Sequence, residues 1–351
     1  MNEERSKAIL AALAAAALYG LNAPLSKLLL SEIPAALMAS LLYLGAGFGM
    51  LLIRFARSAG RRGRADARIT RADLPYVAGM VLLDTAAPIL LMTGLSRTSP
   101  ANAALLGNFE IVATSLIAFL AFREHVGRKM WIAIALITAA SVILSFEGAA
   151  SLSFGAGSAF ILLATVSWGL ENNCTRMLSL KDPLQIVVIK GLGSGAVSLG
   201  LALFLGQSGA PLRYMAAALA LGFVCYGLSI ALYVLAQRRL GAARTSAYYA
   251  VAPFVGVALS AAIFGQRFEP SFALALLIMI AGTCFAASER HRHAHMHEAL
   301  AHEHRHSHAD GHHAHAHDGP VSGEHSHFHI HEPVEHTHGH TPDLHHNHPH
   351  G

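Results

Sequence analysis

The sequence predicts an all-α polytopic membrane protein: ten transmembrane helices in two inverted five-helix repeats, then a disordered His-rich C-terminal tail. Three observations lead there. Hydrophobic residues make up 54% of the chain and charged residues only 13%, against roughly a quarter charged in a soluble domain. Its apolar surface must therefore face something other than water. Apolar runs of about 20 residues recur, each long enough to cross a hydrocarbon core of ~30 Å. And one stretch is used twice. A β-barrel is excluded, because its strands would read as short alternating segments.

The spans are placed near residues 8–30, 34–53, 74–95, 101–122, 130–146, 154–175, 184–205, 214–236, 243–264 and 271–287. The first ends in NAPLSKLLLSE and has no small-residue cleavage site, so it reads as a retained helix rather than a signal peptide. Cys174, Cys225 and Cys284 all sit inside apolar runs with no metal-ligand or disulfide spacing, and read as small buried hydrophobes.

Arginine and lysine set the orientation. The loop after the second span holds Arg54, Arg57, Arg61, Arg62, Arg64, Arg68 and Arg71, which makes it cytoplasmic by the positive-inside rule. Alternate loops counted outward from it carry most of the remaining basic residues, so both termini are expected in the cytoplasm and the chain in the plasma (bacterial inner) membrane. Beside a span, such a basic loop is read as an orientation signal that attracts anionic lipid, not as a nucleic-acid surface.

The repeat is centred on Pro100 to Val126, which carries a single mid-span carboxylate, Glu110. Its plan returns from Gly241 to Phe268, at an offset of about 142 residues. Ala101 falls on Ala243, the position just after Glu110 falls near Pro253, and Glu124 falls on Gln266. Ala17 to Asn22 is likewise echoed by Val166 to Glu171, with Lys27 falling on Arg176, and the glycines of Gly45 to Gly49 by those of Gly191 to Gly195. Two units follow, 8–146 and 154–288, with the tail occupying 289–351. Five is odd, so the second unit enters the membrane from the opposite side. Inverted repeats of this kind build alternating-access carriers with a site near the midplane. The alternating glycines have no strand–turn–helix context and read as close helix approach, not as a dinucleotide fingerprint.

The two five-helix units, the stretch Ala101 to Glu124 and its echo Ala243 to Gln266 resemble the EamA-type members of the drug/metabolite transporter superfamily. The resemblance spans nearly everything but the tail. It implies a ten-helix secondary carrier of small polar metabolites, often an exporter, working as a monomer or homodimer without a cofactor. Two positions depart from the family pattern. Gln266 replaces the closing Glu in the second unit, and Glu110-Ile111 stands where the family usually has a Pro.

Ionisable groups inside spans are expensive and functional by default, at roughly 2.5–3.5 kcal/mol each on the insertion scale. Asp84 and Glu110 lie at matched depths, ~14 Å into antiparallel neighbouring spans. Two carboxylates together cannot both ionise cheaply, which is how a proton-coupling site would be built. The alternative is that each is capped by a neighbouring hydroxyl or amide and only locks packing. Glu171 and Lys190 flank one loop at similar distances, so an ion pair is geometrically allowed. Lys190 could instead receive a substrate carboxylate or phosphate, or snorkel to the interface. Asn22, Asn172, Asn173, Trp168, Tyr226, Tyr233, Tyr248 and Tyr249 could wall a central cavity, or serve as interhelical hydrogen bonds and interface aromatics. Pro24, Pro88 and Pro253 could free backbone groups to line it.

Of the 24 histidines, all but His125 lie between His291 and His350. They alternate in blocks: His291, His293, His295 and His297, then His302, His304, His306 and His308, and further on His325, His327, His329 and His331. Interleaved Asp, Glu, Gly and Pro argue against a packed core. In an extended chain alternate imidazoles share a side, so two or three can hold Zn, Ni, Co or Cu. The other reading is a pH-responsive polar tail without a metal role.

The leading functional reading is a carrier of a small organic metabolite in a lipid bilayer, with a metal-binding tail. The alternative is a divalent metal (Ni/Co/Zn) exporter whose tail collects ions, but the spans carry few of the His, Cys and carboxylate ligands a metal path wants. An integral-membrane enzyme ranks last, because no HExxH or serine elbow occurs.

Overall fold

The computed structural model describes residues 3–58, 69–122, 126–146, 155–178, 181–240, 245, 248–266 and 268–288, and in the tail 291–297, 300–306, 325–331 and 334–340. The first half contains α1 (Glu3–Gly20), α2 (Asn22–Leu29), α3 (Ala35–Ser58), α4 (Leu74–Arg97), α5 (Pro100–Leu106), α6 (Phe109–Phe122) and α7 (Arg128–Ser145). The second contains α8 (Ala156–Arg176), α9 (Pro183–Phe204), α10 (Leu212–Gly222), a π-helical turn (Phe223–Leu228), α11 (Ser229–Leu240), α12 (Ala252–Phe264) and α13 (Pro270–Ala287). Eight stretches of described helix are long and apolar enough to cross a membrane, and α12 is a shorter apolar helix. In the ninth expected span, residues 243, 244, 246 and 247 fall outside the described residues. The sixth, α8, has the length but ends in Glu171-Asn172-Asn173, which lowers its hydropathy. The outward faces are apolar: Phe204 is 87% exposed, Leu120 73% and Leu277 66%. Side chains of that kind at that exposure belong against hydrocarbon, and the protein is a multi-pass membrane protein.

The two halves interleave. α3 packs along α9, α4 along α8, α1 along α11, α5 on α12 and α7 on α13. Exchanging the halves maps each of these pairs onto itself or onto another of the set. The core runs through the seam, where Leu37, Met38, Leu42, Met92, Leu95, Leu106, Ile137 and Ile161 are fully buried.

Glycine makes the tightest of these contacts possible. A Cβ on Gly47 would lie 2.6 Å from Leu192 N, and one on Gly191 2.5 Å from Gly47 Cα, so the α3 and α9 backbones touch where the paired glycines meet. Hydroxyls fasten the same seam. Ser40 Oγ donates to Gly195 O at 2.9 Å, and Ser194 Oγ to Val81 O at 3.1 Å.

Four of the long apolar stretches are interrupted near their middles. α1 gives way to α2 at Leu21. α5 gives way to α6 at Gly107–Asn108, where Asn108 N and Glu110 N donate three residues back, to Leu105 O and Gly107 O. The echo lies at Ala250–Val251, just before α12, where Val251 N and Phe254 N also reach back only three residues. The π turn Phe223–Leu228 interrupts the fourth. Pro253 sits in the first turn of α12, where its missing N–H costs nothing. Pro24 lies in the first turn of α2, whereas Pro88 lies inside α4 without ending it.

In the tail, four short strands are described. Strands β1 (His291–His297) and β4 (Val334–His340) pair antiparallel, as do β2 (Leu300–His306) and β3 (His325–His331). Histidine on every second residue has the two-residue period of a strand. The register aligns like with like: His291 opposite His340, His293 opposite His338, and His304 opposite His327. His308 lies outside the described residues.

Candidate substrate and coupling site

Asp84 is ten residues into α4 and its side chain is 0% exposed, so at 1.5 Å per residue it lies ~15 Å down the helix. The sequence favours Asp84 paired with Glu110, but the structure joins it elsewhere. Lys190 Nζ of α9 lies 3.1 Å from Asp84 Oδ2 and 3.0 Å from Glu171 Oε1 of α8. The reason is azimuth. Matched depth brings two residues together only if both face the same neighbour, and α4 turns its Asp84 face to α8 and α9. Around this bridge the hydroxyls are oriented. Tyr43 OH donates to Asp84 Oδ1 at 3.0 Å, Trp168 Nε1 donates to Tyr43 OH at 3.4 Å, and Thr175 Oγ1 donates to Glu171 Oε1. One lysine thus serves two buried carboxylates, one from each half of the chain.

Glu110 opens α6 immediately after the Gly107–Asn108 break. Its Oε1 accepts from Asn172 Nδ2 at 2.7 Å, and the same amide nitrogen lies 3.2 Å from Thr114 Oγ1. Asn173 Nδ2 donates to Gly169 O of its own helix at 2.8 Å and to Thr114 O of α6 at 3.4 Å, both backbone carbonyls. Glu110 is half-buried and within Coulombic range of Tyr19, Tyr249 and Lys190.

A chain of tyrosines completes the centre. Ring centroids are 5.3 Å apart for Tyr43 and Tyr226, 5.9 Å for Tyr226 and Tyr19, 5.8 Å for Tyr19 and Tyr249, and 5.0 Å for Tyr249 and Tyr233. Asn22, the first residue of α2, donates through Nδ2 to Tyr226 OH at 2.9 Å and accepts from Ser26 Oγ at 3.0 Å. Ser229 Oγ donates to Ala15 O at 2.9 Å and lies 3.3 Å from Tyr249 OH. All four backbone interruptions therefore deliver a residue to one place: Asn22, Glu110, Tyr226 and Tyr249. Irregular backbone at membrane depth is tolerated where it is enclosed by protein or lines a cavity, and paired discontinuous helices mark the binding region of transporters.

Of the residues singled out from the sequence, Asp84, Glu110, Glu171, Lys190, Asn22 and Tyr226 fall in this centre. Tyr248 does not. It packs against the small cluster of Ala8, Ala12 and Ala236, while its neighbour Tyr249 points inward. Tyr19 and Tyr43 belong to the centre and sequence reasoning passed them over. The one signal for Tyr19 was its position in the repeated Ala17 to Asn22 segment, opposite Trp168.

Lys27 lies away from the centre and binds backbone alone. Its Nζ donates to Leu95 O, Ser96 O and Thr98 O at 2.5, 3.1 and 2.9 Å. It neutralises the carbonyl end of α4 and fastens α2 to the α4–α5 turn.

A membrane bundle of two interleaved halves, with broken helices meeting at buried charges, is the architecture of a transporter. The chain belongs to the EamA-like transporter family, whose model matches residues 6–146 and 155–288. It is 29% identical over 278 residues to an uncharacterized transporter of Methanothermobacter thermautotrophicus strain Delta H, covering 75% of this chain and 81% of that one. A protein known from its crystal structure shares the fold with a TM-score of 0.56 and 17% identity, covering 80% of this chain and 95% of that one.

Proposed function

We propose that the protein is a proton-coupled secondary carrier that exports a small polar metabolite by alternating access. In this reading residues 8–146 and 154–288 are inverted units, both chain ends face the cytoplasm, and the His-rich tail binds Zn, Ni, Co or Cu outside the transport path. The observation that carries it is the Asp84–Lys190–Glu171 bridge. It lies at membrane depth, joins the two halves, and contains one carboxylate more than it has cations. A proton taken up by the cluster balances that excess, and releasing it on the other side of the membrane couples transport to the proton gradient. With the proton on one acid, Lys190 can pair with the other as the halves rock, so no charge is left unpaired during the change.

Reconstitution in liposomes tests this. A set of small metabolites is loaded inside, and efflux is followed with and without an imposed pH gradient. Wild-type protein accelerates efflux of at least one of them, and the gradient drives it. Asp84→Asn leaves a one-to-one Lys190–Glu171 pair, so efflux persists and no longer responds to the gradient. An Asp84→Asn protein with undiminished gradient dependence removes the bridge from the coupling role.

A further inference from the structure

The seam between the halves is fastened differently at its two ends. α3 and α9 run antiparallel, and the contact of Gly47 with Gly191 lies between those ends. Where α3 finishes and α9 begins, two ion pairs cross from one half to the other. Lys181 Nζ, just before α9, lies 2.9 Å from Asp73 Oδ2 at the start of α4. Arg54 Nη1 of α3 lies 3.8 Å from Asp182 Oδ2. Each half contributes one acid and one base. The acids are held in place by backbone as well. Asp73 Oδ2 accepts from Thr70 N and Oγ1 at 2.6 and 2.7 Å, and Asp182 Oδ1 accepts from Leu184 N at 2.9 Å. This end carries the Arg54 to Arg71 loop, which is cytoplasmic in the orientation read from the sequence.

The other end has no such fastening. Ala36 N donates to Gln207 Oε1 at 3.0 Å, and the Arg97 guanidinium lies over the Phe160 ring, 5.0 Å from its centroid. Among the described residues no ion pair joins the halves there. The two ion pairs at the first end are themselves unequal. The side chains of Lys181 and Asp73 are each 15% exposed, so water and salt screen their attraction less. Arg54 is 42% exposed, and an exposed pair at this distance adds little. Parting the halves at the first end breaks both pairs, whereas parting them at the second breaks a neutral hydrogen bond and an exposed cation–π contact.

We propose that Lys181 and Asp73, seconded by Arg54 and Asp182, form an electrostatic latch that shuts the cytoplasmic end of the carrier. This rests on the carrier reading above and adds the residues that regulate its opening. The unequal fastening sets the balance between the two openings: at rest the cytoplasmic end is shut, and loading from the cytoplasm requires the latch to part. The latch is distinct from the Asp84–Lys190–Glu171 bridge, since Asp73 precedes Asp84 by about three helical turns.

The test uses the full chain in lipid nanodiscs and a charged methanethiosulfonate as thiol probe. Cys174 of α8 reports on the latched end, because it faces Gly79 of α4, where an added Cβ would lie 3.2 Å from its Sγ. Cys225→Ser and Cys284→Ser leave it as the one thiol. A second protein, with Cys174→Ser and Thr98→Cys added, reports on the other end, where Thr98 meets Gly157 at 3.0 Å from an added Cβ. Lys181→Met should speed modification of Cys174 by about fivefold or more, and should leave the Thr98→Cys site unchanged or slower. Asp73→Asn, which keeps an oxygen for Thr70, should do the same. Raising salt from about 0.05 to 1 M should speed Cys174 by about threefold relative to the Thr98→Cys site, and Lys181→Met should abolish most of that response. Each variant is checked for an unchanged thermal transition, and the salt series needs no change in the latch at all. Cys174 rates within about twofold of the parent in both variants, equal acceleration at both ends, or no salt response would each overturn the proposal. The carrier reading fails separately. Wild-type protein that moves no metabolite in liposomes, while the two reporters still respond in opposite senses, sinks transport and leaves the latch. Gradient-driven efflux with Cys174 indifferent to the variants and to salt keeps the carrier and sinks the latch.

Discussion

Replacing Lys190 with Met removes the only cation of the central bridge and keeps an apolar stem of similar length. Asp84 and Glu171 would then face each other's charge with side chains 0% and 2% exposed. Removing one partner of a buried ion pair costs about 3–5 kcal/mol, because the orphaned charge stays buried. Here two acids depend on one lysine. The two losses do not simply add, since neighbours in one network couple. Taking about 4 kcal/mol, the unfolding equilibrium should shift by roughly a factor of a thousand. The assay is reversible unfolding in mixed micelles, compared across Lys190→Met and the triple change Lys190→Met, Asp84→Asn, Glu171→Gln. The triple variant carries no charge, and its amide oxygens can still accept from Tyr43 and Thr175, which now serve the acids. It should recover most of the loss, to within about 1 kcal/mol of wild type, and still fail to couple transport to protons. The reasoning is refuted if Lys190→Met alone is within about 0.5 kcal/mol of wild type, or if the triple variant is less stable than the single one.

Two further outcomes follow from the same structure. Gly191→Val places carbon against the Gly47 backbone, where a Cβ already comes within 2.5 Å of Cα. It should cost at least about 1–3 kcal/mol as an overpacked crossing, while Gly200→Ala, with nothing within 4 Å of its added carbon, leaves the melting transition in detergent unmoved. A chain ending at Arg290 should insert and transport as the full chain does but lose Zn²⁺ and Ni²⁺ binding. That binding should weaken as pH falls below ~6.5, because imidazole ligates only when neutral. Calorimetry on a 291–351 peptide and liposome efflux by the truncated protein check the two halves of this statement, and loss of efflux on truncation would make the tail part of the carrier.

The sequence made depth legible and left azimuth hidden. Apolar run length located the spans, and counting from their ends placed Asp84, Glu110, Glu171 and Lys190 in the interior. Glu171 and Lys190 flank one short loop, so their proximity could be read without knowing how any helix is rotated. Asp84 needed that rotation, and its partner could not be read because it depends on how three helices pack at once. Tyr248 and Tyr249 show the same limit at single-residue scale. Adjacent positions on a helix point about 100° apart, so one faces Ala8 and Ala12 and the other the centre. The break before Glu110 carries no proline, only Gly107-Asn108, and was visible solely as the counterpart of the Pro253 region. In the tail, alternation places imidazoles on one side of an extended chain, and the same period is that of a strand.

The meeting of Gly47 and Gly191 has a mechanical consequence. Two backbones in direct contact can neither slide closer nor part without exposing a gap, so in the proposed carrier the α3–α9 crossing would serve as a fulcrum. Elements attached to either side of a fulcrum move in opposite senses at its two ends. A pair of probes on one membrane face should therefore approach as an equivalent pair on the other separates, with distances measured at the crossing itself held constant. Substitutions at the fulcrum would stop both movements together, whereas a change at either end would alter one opening and spare the other.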